Sequence, residues 1–211
     1  RAPDSISNMA RKMAGKTLSG SSIDLNLEGC TQALPKEPLA WLRRYGITDE
    51  EIHHNQLCWN HERQHLVFPV FQNDRLVACC SRNFGVGPKY LTKGNTKHYK
   101  VFPQANNVYV LVEDFVSAIK VGRHYNCIPL LGAYVSLDLI LSLVFRKPHL
   151  RIFLDPDKRI EAMKYTARAL QYIPNCATIV ADKDPKDYSN EEIKSIVSGT
   201  LESVSELRDV Q

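Results

Sequence analysis

The chain has 211 residues, a net charge of +4 and a hydrophobic content of 44%. This length can hold one large or two small domains, and the hydrophobic content is ordinary for a globular protein. No apolar stretch is long enough to span a bilayer and no secretory signal is recognisable, so we expect a cytoplasmic protein with no membrane partner. The six cysteines include no C-x-x-C pair, which argues against a zinc ribbon.

Basic residues are concentrated in the first half of the chain. Residues 1–104 carry 14 Lys and Arg against 9 Asp and Glu. Between Arg63 and Lys100, seven basic residues are accompanied by Asp74 as the single acid. A local excess of this kind indicates a polyanion such as nucleic acid as partner. A solvated basic surface with no ligand is an equally open interpretation.

The first 104 residues divide into an arm and a small subdomain. Residues 1–35 are polar and contain a Ser/Gly run, which predicts a flexible or loosely packed arm. Two short helices are predicted over residues 38–55, with Gly46 ending the first and Thr48 opening the second. A β-hairpin follows, because His65–Phe71 and Arg75–Asn83 are apolar runs on either side of a short turn. Residues 36–104 are therefore predicted to form a small basic α+β subdomain.

From residue 105 onward, strand and helix patterns alternate, which favours a parallel sheet with right-handed crossovers. The predicted strands are Val108–Val112, Cys127–Leu131, Leu150–Leu154 and Ala177–Ala181. The first two crossover helices are predicted at Ser117–Arg123 and Leu137–Phe145. A third helix is marked by apolar residues at helical spacing, namely Ile160, Met163, Ala167 and Leu170, with Ile173 three residues further on. We expect this stripe to pack against the sheet. The domain is predicted to span residues 105–190, with a helical tail over 191–211.

Carboxylates follow three of these predicted strands. Glu113 follows the first strand, Asp155 and Asp157 follow the third, and Asp184 and Asp187 follow the fourth. Ligands of open α/β sheets bind beyond the carboxyl ends of the strands, and carboxylates gathered there repel one another unless a cation lies between them. Mg²⁺ suits such a place because it takes oxygen ligands. The pattern predicts a metal site, although Asp157 and Asp187 could instead cap the helices that follow them.

Several of these segments resemble a known family. Val110–Glu113 and Ile152–Asp157 resemble the two signature motifs of the TOPRIM domain, which occurs in DnaG-type primases, type IA and type II topoisomerases and some nucleases. Lys183–Asp187 resembles the acidic segment near the end of primase TOPRIM domains. The hairpin together with Gly87–Leu91 resembles the basic subdomain that precedes TOPRIM in phage and bacterial primases. The resemblance covers residues 36–190.

The resemblance implies a Rossmann-like α/β fold with a mainly parallel sheet and flanking helices, preceded by the basic subdomain. It implies a DNA primase that joins ribonucleoside triphosphates on single-stranded DNA with Mg²⁺ or Mn²⁺, in a bacterial cell or a phage-infected host. A replicative helicase is a further candidate partner. The implied catalytic residues, which also bind metal, are Glu113, Asp155 and Asp157. Asp184 and Asp187 are implied as further metal ligands. The implied nucleic-acid or nucleotide ligands are Arg82, Lys89, Tyr90, Lys93 and Lys97.

One departure from the family pattern keeps other functions open. In most primases the glutamate is followed by glycine and then, after two more residues, by an acid, whereas here these positions hold Asp114 and Ser117. The missing acid favours a catalytically silent module that binds nucleic acid. The same carboxylates can also activate water, as in a TOPRIM nuclease. A topoisomerase is disfavoured because the chain is short for strand-passage gates and a separate tyrosine domain.

Overall fold

Two sheets of different type follow one another along the chain. The computed structural model describes residues 25, 27–94 and 100–209, with side chains described as far as Leu201. Residues 27–94 form a lobe around an antiparallel sheet, and residues 100–209 form a lobe around a parallel sheet. We call them the antiparallel lobe and the parallel lobe. Most of the predicted amino-terminal arm lies outside the described residues.

The antiparallel lobe contains the predicted helix pair and hairpin. Its strands are β1 (Cys30–Thr31), β2 (Cys58–Asn60), β3 (His65–Gln72), β4 (Arg75–Asn83) and β5 (Tyr90–Gly94), paired in sequence order. Its helices are α1 (Lys36–Arg44) and α2 (Asp49–His54). Gly46 follows α1 with a φ of +71°, a conformation that glycine adopts at little cost. Thr48 and Glu51 form a reciprocal capping box at the start of α2.

The β3–β4 turn determines which side chains share a face of this sheet. Asn73 and Asp74 both have positive φ, as a two-residue hairpin turn of type I′ requires. This turn sets the β3–β4 register, and the separate β4–β5 register places Arg82 opposite Tyr90 and Cys79 opposite Lys93. Alternate residues of a strand point to opposite faces, so Arg82 and Tyr90 share one face while Lys93 lies on the other.

The parallel lobe has four strands with crossover helices. The strands are β6 (Val108–Val112), β7 (Asn126–Pro129), β8 (His149–Ile152) and β9 (Cys176–Thr178), in the spatial order β7-β6-β8-β9. The helices are α3 (Phe115–Gly122), α4 (Leu137–Val144), α5 (Arg159–Ala169) and α6 (Asn190–Asp209), with short 3₁₀ turns at Pro156–Lys158 and Pro185–Asp187. All strand pairs are parallel. The predicted α/β fold class is confirmed, and the last three strands end two or three residues earlier than predicted.

Helix α3 connects the two lobes. Every residue from Phe115 to Gly122 is buried. Phe115 and Ile119 pack in one apolar core with Phe68 of the antiparallel lobe, while Val121 packs in a second core beneath the parallel sheet. Because α3 begins where β6 ends, its amino-terminal end lies at the junction of the lobes.

The apolar stripe predicted for α5 does not pack against the sheet along the helix, so that prediction is wrong, although Ile173, beyond the helix end, is buried in the core. Ile160, Met163 and Leu170 are 66%, 55% and 46% exposed. The buried face instead carries Ala162 and Ala169. These small side chains let the helix lie close to the sheet, and the larger aliphatic side chains are left on the outer surface.

Helix α6 is attached to the sheet by a buried arginine. Arg151 of β8 is fully buried, and its guanidinium donates hydrogen bonds to Thr200 Oγ1 at 3.2 Å and to the Thr200 carbonyl at 3.1 Å. Ile193 and Val197 of α6 join the core on that side. Of the helices that the structure describes, α6 included, none combines the length and apolar character that a bilayer crossing needs.

Candidate active site

A cleft of about 530 Å³ separates the two lobes beyond the carboxyl ends of β6 and β8. The antiparallel lobe contributes a basic and aromatic wall whose polar and aromatic members include Trp41, Arg44, Tyr45, Arg82, Lys89 and Tyr90. The parallel lobe contributes an opposite wall that includes Glu113, Asp114, Asp155, Asp184 and Lys186. We call these the aromatic wall and the acidic wall. The cleft therefore combines groups suited to cations and groups suited to nucleotides.

Glu113 and Asp155 are the acids with unsatisfied oxygens in the cleft. Glu113 Oε2 and Asp155 Oδ1 are buried and have no hydrogen-bond partner among the described residues. Burial, reinforced by the charges of Asp157 and Asp114, raises the pKa of Glu113. Burial also raises the pKa of Asp155 to about 7, although the nearby Lys186 acts in the opposite direction. Buried carboxylate oxygens without a donor are what a cation would satisfy, so these two residues fit a divalent ion.

Asp157 and Asp187 do not line the cleft. The side chain of Asp157 is 71% exposed and pairs with Lys158 at 3.0 Å, and Asp187 is exposed on its 3₁₀ turn. Neither caps a helix, because α5 has no side-chain cap and Ser189 shares a capping box with Glu192 before α6. Within residues 27–94 and 100–201, no three His, Cys, Asp or Glu side chains converge closely enough to hold a metal ion.

The two positions that depart from the family pattern are bonded to each other. Asp114 Oδ1 accepts hydrogen bonds from the backbone N–H groups of Val116 and Ser117 at 2.8 and 3.0 Å. Its Oδ2 accepts the Ser117 hydroxyl at 2.8 Å. Asp114 is therefore the N-cap of α3, and the side chain in place of the missing acid strengthens that cap.

Lys186 is a member of the acidic wall that the sequence analysis missed. Its Nζ lies 2.7 Å from Asp184 Oδ2, 3.0 Å from Asp114 Oδ2 and 3.9 Å from Asp155 Oδ2. Burial of the ammonium lowers its pKa, but Asp114 and Asp184 outweigh this, so the pKa is raised above its ordinary value. The only signal in the sequence is that a lysine lies between Asp184 and Asp187, two acids predicted to bind metal.

The aromatic wall is organised around Arg82. Its guanidinium lies 4.3 Å from the centre of the Trp41 ring, and its Nη1 donates a hydrogen bond to the Tyr90 hydroxyl at 3.0 Å. Lys89 Nζ lies 5.6 Å from the Tyr90 ring centre. Such stacking holds the guanidinium in place beside exposed aromatic surface. Trp41 lies within the first of the two predicted helices, and its place beside Arg82 follows from the packing of α1 on the sheet.

The remaining two predicted nucleic-acid ligands lie elsewhere. Lys93 is on the opposite face of the antiparallel sheet from Arg82, where it lines a different cavity with His65 and Cys79. Lys97 is outside the described residues. The structure thus brings Arg82, Lys89 and Tyr90 together with the acidic wall and leaves Lys93 apart.

Two solved primase structures are similar to this chain. The primase fragment of the bacteriophage T7 primase-helicase protein is 14% identical with a TM-score of 0.58, and the match covers 90% of this chain and 85% of that chain. The Aquifex aeolicus primase, with its zinc-binding and RNA polymerase domains, is 15% identical with a TM-score of 0.53. That match covers 81% of this chain but 50% of the other, so this chain spans half of that length. No protein-family model matches the chain, and no curated protein does. The chain has the fold of a DnaG-type primase core, as its signature segments predicted.

Proposed function

We propose that this chain is the catalytic core of a DNA primase, which synthesises short RNA primers on single-stranded DNA. Its substrates are ribonucleoside triphosphates and a DNA template, and a replicative helicase is a proposed partner. The observation that supports this most directly is the cleft in which Glu113 and Asp155 face Arg82 and Lys89. A polymerase needs this combination, because it must hold a cation and a polyanionic nucleotide at one place.

The residues of the cleft can be given roles in nucleotidyl transfer. In this reaction a 3′-hydroxyl attacks the α-phosphate of a nucleotide, and pyrophosphate leaves. Bound Mg²⁺ or Mn²⁺ would neutralise charge that develops on the attacking and leaving oxygens. Glu113 and Asp155 would hold the ion through their unpartnered oxygens, since Mg²⁺ is commonly bound by one or two carboxylates together with substrate phosphates. Asp157 and Asp187 could act only through water or after a local movement, because neither lines the cleft.

The aromatic wall would bind the nucleotide or the template. Arg82 and Lys89, which line the cleft, would neutralise phosphates, the guanidinium in a fixed orientation and the ammonium as a point charge. The rings of Trp41 and Tyr90 offer surfaces on which a base can stack, which is a sequence-tolerant way to hold single-stranded nucleic acid.

A catalytically silent module that binds nucleic acid is the second candidate. It is favoured by the ion pairs that Lys186 makes with Asp114 and Asp184, because these acids are already neutralised without a metal. In such a module the aromatic wall would keep its role while the acidic wall would only stabilise the fold.

A single denaturing gel tests these functions. The protein is incubated with single-stranded DNA of mixed sequence, four ribonucleotides of which one is labelled, and Mg²⁺ or Mn²⁺. A parallel reaction carries end-labelled DNA. The inactive variant is Asp155→Asn, and the matched control is Glu62→Gln, which changes an acid on the other face of the antiparallel sheet.

Short labelled RNA from the wild type and Glu62→Gln, but not from Asp155→Asn, would establish the primase. Shortened DNA without RNA would establish a metal-dependent nuclease. If neither product forms while the protein retards single-stranded DNA on a native gel, the silent module is correct.

A further inference from the structure

Lys186 is surrounded by acids to an extent unusual for a lysine. Its side chain is 11% exposed and its ammonium contacts Asp184, Asp114 and Asp155. A buried ammonium is strongly disfavoured without partners, and here three carboxylates supply them. Its position is therefore inside the acidic wall and not at the rim of the cleft.

The backbone of Lys186 is held as firmly as its side chain. Lys120 of α3 is buried, and its Nζ donates hydrogen bonds to the carbonyl of Lys186 at 2.7 Å and to the carbonyl of Tyr188. Helix α3 thus contacts Lys186 twice, with the Asp114 carboxylate on its ammonium and the Lys120 ammonium on its carbonyl.

The loop around Lys186 is closed by a further contact. The Tyr188 hydroxyl accepts the backbone N–H groups of Asp182 and Lys183, each at 3.1 Å, and donates to the Asp182 carboxylate. Pro185, which precedes Lys186, is buried. These contacts fix the segment, so Lys186 is not a surface lysine that swings freely into the cleft.

The charges of the acidic wall are unevenly satisfied. Asp114 and Asp184 each form a close ion pair with Lys186, whereas Asp155 Oδ1 and Glu113 Oε2 have no partner among the described residues. The wall therefore has one part, Asp114 and Asp184, in close contact with a cation of the chain itself, and a second part in which Asp155 lies 3.9 Å from that cation and carries, like Glu113, an oxygen without a partner.

We propose that Lys186 permanently occupies the cation position beside Asp114 and Asp184, so that the chain binds a single divalent ion, between Glu113 and Asp155. This inference rests on the proposed metal-dependent function and specifies how many ions that function uses.

A lysine differs from a second metal in what it can contribute. An ammonium supplies positive charge and three hydrogen-bond donors, but it has no coordination site for a water or a hydroxyl. At this position Lys186 can neutralise Asp114 and Asp184 and donate to a phosphate oxygen that enters the cleft.

The test is the number of Mn²⁺ ions bound to the full chain, measured from the electron paramagnetic resonance signal of free Mn²⁺ without nucleotide. The wild type and Lys186→Arg should bind one ion, and Lys186→Ala should bind two. Lys183→Ala is the matched control, because it removes an exposed lysine of the same segment, and it should bind one. If Lys186→Ala does not fold, Lys186→Met is used in its place, because methionine removes the charge but keeps a long apolar side chain.

Thermal unfolding gives a second readout. Without metal, Lys186→Ala should unfold at a lower temperature than the wild type, because Asp114 and Asp184 lose their partner. Mn²⁺ should raise its unfolding temperature more than that of the wild type, since each bound ion stabilises the folded state.

Two results would overturn the inference while leaving the metal-dependent function intact: two ions bound to the wild type, or one ion bound to Lys186→Ala. If no variant binds Mn²⁺ and the gel shows no metal-dependent product, the proposed function fails together with the inference.

Discussion

The guanidinium of Arg123 and the carboxylate of Glu51 form a two-bond ion pair that joins the lobes. Arg123 Nε lies 2.7 Å from Glu51 Oε1 and Nη2 lies 2.8 Å from Oε2, and both side chains are 21% exposed. Burial acts to raise the pKa of Glu51, but the hydrogen bonds and the charge of Arg123 leave it lowered. The same guanidinium donates to the Gly46 carbonyl at 2.8 Å and to Asn190 Oδ1 at 3.0 Å. Arg123, which follows α3, therefore connects helix α2 and the loop after α1 in the antiparallel lobe to the first residue of α6.

We expect this pair to contribute to the stability of the whole molecule. In a double-mutant cycle of Glu51→Ala and Arg123→Ala, the coupling energy should be about 1–2 kcal/mol, above the usual value for exposed pairs, because the geometry is bidentate and the side chains are largely buried. Arg123→Ala alone should be more destabilising than Glu51→Ala, since it also removes the bonds to Gly46 and Asn190. Urea unfolding measures both quantities. The exposed pair Asp157–Lys158 is the control and should show no measurable coupling; equal coupling in the two pairs would contradict the prediction.

The outer stripe of α5 leads to a different expectation. Met163→Gln should change the free energy of unfolding by less than about 0.5 kcal/mol, because the side chain is exposed in the described structure. Ala162→Leu, one residue earlier, should be destabilising by about 1–3 kcal/mol because it overfills a buried position. Both are read from urea unfolding. A large loss in Met163→Gln would mean that the stripe is covered after all.

The positions of Glu113, Asp155, α5 and Lys186 in the structure show which features the sequence could indicate and which it could not. The strand ends carrying Glu113 and Asp155 were predictable, because short apolar runs followed by acids at the carboxyl ends of parallel strands leave a clear pattern. The buried face of α5 was not predictable. Periodicity identifies an apolar stripe but does not show which side of the helix packs against the sheet. Lys186 was missed for a related reason. Its contacts with Asp114 and Asp155 join residues distant in the chain, and such contacts depend on tertiary packing alone.

The register of the antiparallel sheet predicts different roles for Lys89 and Lys93, which the sequence analysis predicted to be nucleic-acid ligands alike. Lys89 lines the cleft and Lys93 lies on the opposite face. Lys89→Ala should weaken binding of single-stranded DNA about 3- to 10-fold and reduce the salt dependence of binding by about 0.7 in the slope of log K against log salt concentration. Lys93→Ala should leave both unchanged. Fluorescence anisotropy at several KCl concentrations provides the measurement. Equal losses of affinity in the two variants would mean that the bound strand contacts both faces of the sheet. The cleft would then not be its specific binding site.

The raised pKa of Asp155 predicts how metal-free stability depends on pH. The folded protein holds a proton on Asp155 up to a pKa of about 7, whereas the ordinary pKa of an aspartate is about 3.8. Between these values the folded state binds more protons than the unfolded state, so the contribution of Asp155 to the free energy of unfolding falls as pH rises from 4 to 7 and is constant above. In the presence of EDTA, the difference between Asp155→Asn and the wild type should therefore grow in favour of the variant, by about 2 kcal/mol between pH 5 and pH 7. Urea unfolding at pH 5, 6, 7 and 8 measures it.

The exposed Asp157 supplies the control for this pH dependence. Asp157→Asn should follow the wild-type curve, because its side chain is 71% exposed and pairs with Lys158 at the surface. Mg²⁺ should reduce the advantage of Asp155→Asn above pH 7, since a cation bound at Glu113 and Asp155 stabilises the charged carboxylate that burial disfavours. Parallel curves for Asp155→Asn and the wild type in EDTA would show that Asp155 is ionised without penalty in the folded protein. The unpartnered Oδ1 of Asp155 would then need no cation, and this would contradict the proposed metal position between Glu113 and Asp155.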